Sequence, residues 1–200
     1  MRSMTAPGAP GRCPRCLLLA DYCLCELIGP GHDSRPRVVI VRHHWEALKS
    51  TGTARLAGLA LSNLSIVDMA AENPAPVREA LSALGDAWLL YPSGSPTVAA
   101  PGEAPETLVV LDGTWRQTRR MLRRLPELSR FPRYSLSAET QDAGRDRLRE
   151  PPRAGARSTL ESIADALGQL DSPACGRRLL DLHEAFVART RHSRGQRQAS

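Results

Sequence analysis

One aspartate, Asp112, stands where a strand is expected to end. The four residues before it, 108–111, are apolar, and Gly113 and Thr114 follow it. A carboxylate at the end of a buried strand is partly desolvated, so it is suited to accept a proton or to orient a ligand hydroxyl. Gly113 would let a ligand approach the backbone, whereas Thr114 could simply cap a helix that starts at Trp115. Residue types alone therefore leave an active site and a capped turn as equal alternatives.

Arginines dominate the helix expected after this turn. Their spacings of three and four residues place four of them on one helix face: Arg116, Arg119, Arg120 and Arg123. Residues 116–157 contain twelve arginines against five acidic residues, whereas residues 1–115 contain nine basic and eleven acidic side chains. We expect this positive segment to attract a polyanion, although a solvated helix face would carry the same residues.

Four of the five cysteines occur close together near the N-terminus: Cys13, Cys16, Cys23 and Cys25. Their spacing fits a tetrahedral structural zinc site better than two disulfides would fit a cytoplasmic protein. Reduced thiols left over from a decayed site are the alternative. The isolated Cys175 is expected to be a small buried side chain.

A second polar cluster follows the β-branched run at residues 37–41. It consists of Arg42, His43, His44, Trp45 and Glu46. Because its two adjacent histidines point in different directions, we expect them to contact substrate or to pack the loop, rather than to bind a catalytic metal.

The elements that would position these residues alternate along the chain. Strands are expected at residues 37–41, 64–67, 87–91 and 107–111, and helices at 46–61, 76–84, 115–125, 158–170 and 174–190. This alternation predicts an α/β fold with a mostly parallel sheet flanked by helices. Because such sheets bind ligands at the carboxyl ends of their strands, we expect the site where the strands end near Tyr91 and Leu111.

The composition is that of a globular protein, with 200 residues of which 42% are hydrophobic. No apolar run reaches the roughly 18 residues that span a bilayer, and residues 1–10 lack the apolar stretch of a secretory signal. We therefore expect a cytoplasmic protein without membrane contact.

Together, these motifs resemble those of the DTW-domain family. The signature is Asp112-Gly113-Thr114-Trp115 after an apolar strand and before a basic helix. Four companion motifs agree in order. The first is the cysteine knuckle at 13–25, and the second, at 38–53, combines a strand, a His-Glu segment and a Thr-Gly-Thr helix start. The other two are Leu-Leu-Tyr-Pro-Ser at 89–93 and Ser-Thr-Leu-Glu at 158–161. The family often has His-Pro-x-Glu where this chain has His43-His44-Trp45-Glu46.

The resemblance implies a SPOUT-like fold with a C-terminal knot and a small N-terminal zinc knuckle. It places the knuckle at 13–28 and the catalytic domain at 36–190. From composition, residues 1–12 are expected to be disordered and residues 191–200 to form a frayed basic tail. The implied enzyme transfers the 3-amino-3-carboxypropyl group of S-adenosylmethionine to N3 of a tRNA uridine and releases methylthioadenosine. A SPOUT-type RNA methyltransferase and a non-catalytic zinc-knuckle RNA-binding protein are the alternatives, and the oligomeric state stays open.

The resemblance also suggests roles for individual residues. Asp112 would take or orient the N3 proton, and the four arginines of the helix face, with His43 and Glu46, would contact RNA. The four clustered cysteines would hold a structural zinc ion. S-adenosylmethionine would be wrapped by two strand ends and a helix start: Tyr91, Pro92, Ser93, Leu111, Gly113, Thr114, Trp115, Ser158 and Thr159.

Overall fold

A five-stranded parallel sheet forms the centre of the protein, in the order β2-β1-β4-β3-β5. The computed structural model describes residues 10–93, 103–136, 148 and 157–198. The strands are β1 (Arg37–His43), β2 (Leu64–Met69), β3 (Ala87–Leu90), β4 (Thr107–Asp112) and β5 (Arg133–Tyr134).

Helices cover both faces of this sheet. They are α1 (Cys25–Ile28), α2 (His44–Ala47), α3 (Ala54–Ala60), α4 (Ala75–Ser82), α5 (Trp115–Arg124), α6 (Thr159–Leu170) and α7 (Pro173–Gln198). Short 3₁₀ turns occur at Ala20–Tyr22 and Pro126–Arg130.

The middle strand β4 is buried along its whole length. Leu108 and Val110 belong to a hydrophobic cluster with α3, α6, α7 and the cysteine segment, whereas Val109 and Leu111 belong to a second cluster with α4 and α5. Alternate side chains of a strand point to opposite faces, so a strand covered on both faces is apolar at every position. This explains the uninterrupted apolar run before Asp112.

The register brings the carboxyl ends of the central strands to one edge of the sheet. Arg42 of β1 pairs with Asp112 of β4, and Leu90 of β3 pairs with Val110. The predicted parallel sheet is thus confirmed, and the strand ends near Tyr91 and Leu111 are neighbours.

Three elements differ from the sequence-based prediction. The helix expected at 46–61 is two helices, α2 and α3, separated by a turn in which Gly52 N–H donates to Lys49 O at 3.0 Å. The intervening Ser, Thr and Gly residues favour turns over helix. The two-residue strand β5 was missed because so short an element has no periodicity to detect, and α7 continues past the expected end at residue 190 to Gln198.

Helices α6 and α7 cross closely at two glycines. A Cβ on Gly176 would lie 2.7 Å from both Ala164 O and Gly168 Cα. The crossing holds α6 so that its N-terminus reaches β4, where Thr159 contacts Asp112.

Two expectations concern residues outside the described part of the chain. Most of the predicted disordered N-terminus, residues 1–9, is not described, and neither are residues 137–147 and 149–156. The C-terminal knot is not shown by the described residues and stays a prediction. Within the described ranges, no helix combines the length and apolarity needed to cross a membrane.

Candidate active site

Asp112 is the last residue of β4 and is buried, with only 7% of its surface exposed. Thr159 Oγ1 donates a hydrogen bond to its Oδ1 at 2.5 Å. The other oxygen, Oδ2, is buried without a hydrogen-bond partner among the described residues. An unsatisfied buried carboxylate oxygen is costly, and such a group is a reasonable candidate for contact with a ligand.

Burial raises the pKa of Asp112 to about 6, while the Thr159 hydrogen bond opposes the shift. The nearby Glu46 carboxylate raises the pKa further, and Arg42 and Lys49 lower it. A carboxyl group with a pKa near the working pH accepts and returns a proton readily. Asp112 can therefore act as a general base.

The turn after β1 brings charged groups close to Asp112. Glu46 forms an ion pair with Lys49, and Arg42 binds Asp68 through two hydrogen bonds of 2.6 and 2.9 Å. Sequence analysis placed Arg42 in the polar cluster after β1 but did not link it to Asp112, and it did not consider Lys49 as a site residue. Only the parallel pairing of β1 with β4 brings this region near Asp112.

His43 joins this turn to helix α5. Its Nδ1 accepts from Trp45 N–H at 3.4 Å and lies 3.3 Å from Gln117 Nε2. The rings of His43 and His44 stack with 4.4 Å between centroids, and Trp45 is 52% exposed. His43 and Glu46 thus have intramolecular partners in the turn, and their predicted contact with RNA stays a prediction.

A cavity of about 390 Å³ opens on the other side of Asp112, between the ends of β3 and β4 and the N-termini of α5 and α6. Its volume lies in the range of about 300–1,000 Å³ that small-molecule sites occupy. Its wall is mostly apolar and hydroxyl-bearing, and contains Leu90, Tyr91, Pro92, Val110, Leu111, Gly113, Trp115, Thr118, Tyr134, Ser135, Leu136, Arg157, Thr159 and Ser162.

Six of the nine residues predicted to bind the cofactor line this cavity: Tyr91, Pro92, Leu111, Gly113, Trp115 and Thr159. The other three, Ser93, Thr114 and Ser158, are not among its lining residues. Thr114 and Ser158 instead cap α5 and α6, each in a capping box. The active-site and capped-turn interpretations of the Asp112 segment are therefore compatible.

Arg157 is a lining residue that sequence analysis missed. It immediately precedes Ser158, the residue that caps α6. An arginine next to a helix cap is an ordinary surface pattern, so only the fold shows that it faces a cavity.

The four arginines predicted to contact RNA are exposed on α5, as the helical spacing implied: Arg116, Arg119, Arg120 and Arg123. The neighbouring Arg124 is instead tied to the fold, because its Nη2 donates to Ala71 O at 2.8 Å. The exposed face begins immediately after the Asp112 turn.

The four clustered cysteines converge, with all their sulfurs within 4.8 Å of one another. The Cys13–Cys25 and Cys16–Cys23 sulfur separations are 3.6 and 3.9 Å. Four sulfurs at about 2.3 Å from a tetrahedral zinc ion would be about 3.8 Å apart. The geometry of this cluster is therefore compatible with zinc binding.

Comparisons with known proteins agree with these features. The model of the DTW domain family matches residues 11–191. The chain is also similar to tRNA-uridine aminocarboxypropyltransferase 2 of Drosophila melanogaster, with 29% identity over 180 residues that cover 85% of this chain and 70% of that protein. No solved structure matches the chain significantly. Since the family model covers most of the sequence, this chain belongs to the DTW domain family.

Proposed function

We propose that this protein transfers the 3-amino-3-carboxypropyl group of S-adenosylmethionine to N3 of a uridine in tRNA. The similarity to a tRNA-uridine aminocarboxypropyltransferase supports the reaction class. The observation that carries the assignment of the site is Asp112, a buried carboxylate with one unpartnered oxygen among the described residues. Asp112 does not itself line the cavity, but its neighbours Leu111 and Gly113 do, and so does Thr159, which donates a hydrogen bond to it.

In this reaction, uridine N3 attacks the γ-carbon of the aminocarboxypropyl chain. A new N–C bond forms, the C–S bond breaks, and its electron pair stays on sulfur, which leaves as the neutral thioether methylthioadenosine. The N3 proton goes to Asp112 Oδ2 and then to solvent. The sulfonium has three electrophilic carbons, so the orientation in which the donor is held decides which of them N3 attacks.

The two sides of Asp112 suit two substrates. The cavity on the β3 side would hold S-adenosylmethionine, with Tyr91 and Trp115, whose ring centroids are 6.0 Å apart, at its rim. The charged turn on the β1 side and the arginines of α5 would hold the tRNA through its phosphates. A zinc ion bound by the four cysteines would stabilise the knuckle. We also propose that the protein is cytoplasmic.

Mass spectrometry of tRNA nucleosides tests the proposal. We expect purified protein with S-adenosylmethionine and unmodified tRNA to yield aminocarboxypropyluridine and an equal amount of methylthioadenosine. Asp112→Asn should lower the rate by about a hundredfold or more, the usual contribution of a general base, while cofactor binding persists. Release of S-adenosylhomocysteine with a methylated nucleoside would contradict the proposal and indicate a methyltransferase.

A further inference from the structure

Charge is distributed unevenly around the cavity. Arg157 is the single charged side chain among the described residues that line it, and the rest of that wall is apolar, aromatic or hydroxyl-bearing. A cation in such surroundings is little screened by water, so it interacts strongly with an anionic group that enters the same space. Arg157 is therefore the one side chain of the described wall that could pair with an anionic group of a ligand.

The guanidinium of Arg157 is built into the fold. Its side chain is 7% exposed, and Nε lies 2.7 Å from Oδ2 of Asp165, which is itself buried at 4%. Asp165 is on α6, one helical turn after Glu161, whose carboxylate completes the capping box with Ser158. Arg157 is thus held at the start of the same helix that brings Thr159 to Asp112.

We propose that Arg157 binds the α-carboxylate of the aminocarboxypropyl donor, with Asp165 as the residue that positions the guanidinium. This inference rests on the proposed function, since S-adenosylmethionine carries one carboxylate, on the chain that is transferred. The planar fork of a guanidinium matches a carboxylate through paired N–H donors. The same contact would distinguish the intact donor from methylthioadenosine, which has lost the carboxylate and must leave.

This contact also bears on which carbon reacts. Anchoring the carboxylate at Arg157 fixes the far end of the three-carbon chain, while Thr159 lines the same cavity and binds Asp112. The γ-carbon, between the carboxylate end and the sulfur, would then be held on the side of the base. A chain without the carboxylate would lack that constraint and rotate freely.

Calorimetry with three ligands tests the proposal: S-adenosylmethionine, its decarboxylated analogue and methylthioadenosine. For the wild-type protein we expect the decarboxylated analogue to bind about tenfold to a hundredfold more weakly than S-adenosylmethionine, as for loss of a charge-assisted hydrogen bond. For Arg157→Gln we expect that difference to disappear, with methylthioadenosine binding unchanged. Because this variant leaves Asp165 buried without its partner, Arg157→Gln/Asp165→Asn should be measured beside it.

The outcomes separate this inference from the proposed function. Wild-type protein that binds S-adenosylmethionine and its decarboxylated analogue equally well would overturn the role of Arg157 and leave the reaction class standing. Equal losses for all three ligands in a folded double variant would also overturn it, since they would indicate a general effect on the cavity. Failure of the wild-type protein to bind any of the three ligands would contradict both proposals.

Discussion

At the scale of single residues, the raised pKa of Asp112 comes from its surroundings rather than from its type. One oxygen accepts a hydrogen bond from Thr159, and the other is buried without a partner among the described residues. Burial raises its pKa to about 6 from the ordinary value of 3.8. A raised carboxyl pKa means that the ionised form is disfavoured in the fold. The burial that makes Asp112 a stronger base therefore also lowers the stability of the folded protein when Asp112 is ionised.

The pH dependence of activity follows from this pKa. Asp112 must be ionised to accept a proton, so kcat/KM should fall about tenfold per pH unit below about 6 and level off above it. Steady-state kinetics between pH 5 and 8 at fixed ionic strength measures this profile. An activity that stays constant down to pH 5 would remove Asp112 as the base.

The raised pKa of Asp112 also predicts how Asp112→Asn changes the stability of the protein. The folded protein holds its Asp112 proton up to about pH 6, whereas the unfolded chain loses it near pH 4, so ionisation costs stability as the pH rises between these values. At pH 8 we expect the Asn variant to be more stable than wild type by about 1–2 kcal/mol, a discounted value for a shift of this size. Near pH 4 the gain should vanish. Thermal unfolding at both pH values provides the measurement, and a variant destabilised at pH 8 would contradict the argument.

At the scale of elements, two capped helices position the site residues at the edge of the sheet. Capping boxes fix the starts of α5 at Thr114 and of α6 at Ser158, and both helices begin beside the cavity. A Cβ on Gly113 would lie 3.1 Å from Gln117 Cβ and 3.6 Å from His43 Cβ. The contact with His43 would be an ordinary one, so a side chain at position 113 would mainly crowd Gln117, which completes the capping box of α5.

The crossing of α6 and α7 provides a prediction with an internal control. Gly176→Ala would place a methyl group 2.7 Å from backbone atoms of α6, whereas a Cβ on Gly168 would meet Gly176 Cα at an ordinary 3.6 Å. We expect Gly176→Ala to lower the free energy of unfolding by about 2 kcal/mol through overpacking. Gly168→Ala should be neutral or stabilising by up to about 1 kcal/mol, because alanine favours helix.

Urea unfolding of both glycine variants measures the difference directly. A drop in midpoint for Gly168→Ala that equals that for Gly176→Ala would mean that the helices are not packed as described.

At the scale of the whole molecule, the cysteine knuckle is anchored to the last helix. Arg189 on α7 donates to Cys23 O and forms an ion pair with Glu26 at 2.7 Å, and Arg178 donates to Ile28 O at 2.8 Å. Cys16 and Leu24 belong to the same hydrophobic cluster as α6 and α7. Disorder in the knuckle would therefore weaken the packing of α7 and of α6, the helix that carries Thr159.

Metal content tests the zinc proposal at this scale. We expect about one zinc ion per chain by elemental analysis, lost in Cys13→Ser and Cys25→Ser and retained in Cys175→Ser, whose buried thiol lies outside the cluster, near His32 and Asp171. Chelation should lower the thermal midpoint of the wild-type protein, because a metal that binds only the folded state stabilises it. Equal zinc content in all three variants would contradict the assignment.

The sequence by itself determined four of the five strands, the parallel sheet, the cysteine cluster and the position of Asp112 at a strand end. These features depend on local periodicity and spacing, and the apolar run of β4 is explained by its burial on both faces. Only the tertiary structure decided that Arg42 and Glu46 act on Asp112, that Thr159 binds it, and that Arg157 faces the cavity. Those relations join residues far apart in the chain, and they depend on strand order and on the α6–α7 crossing, which local patterns do not encode.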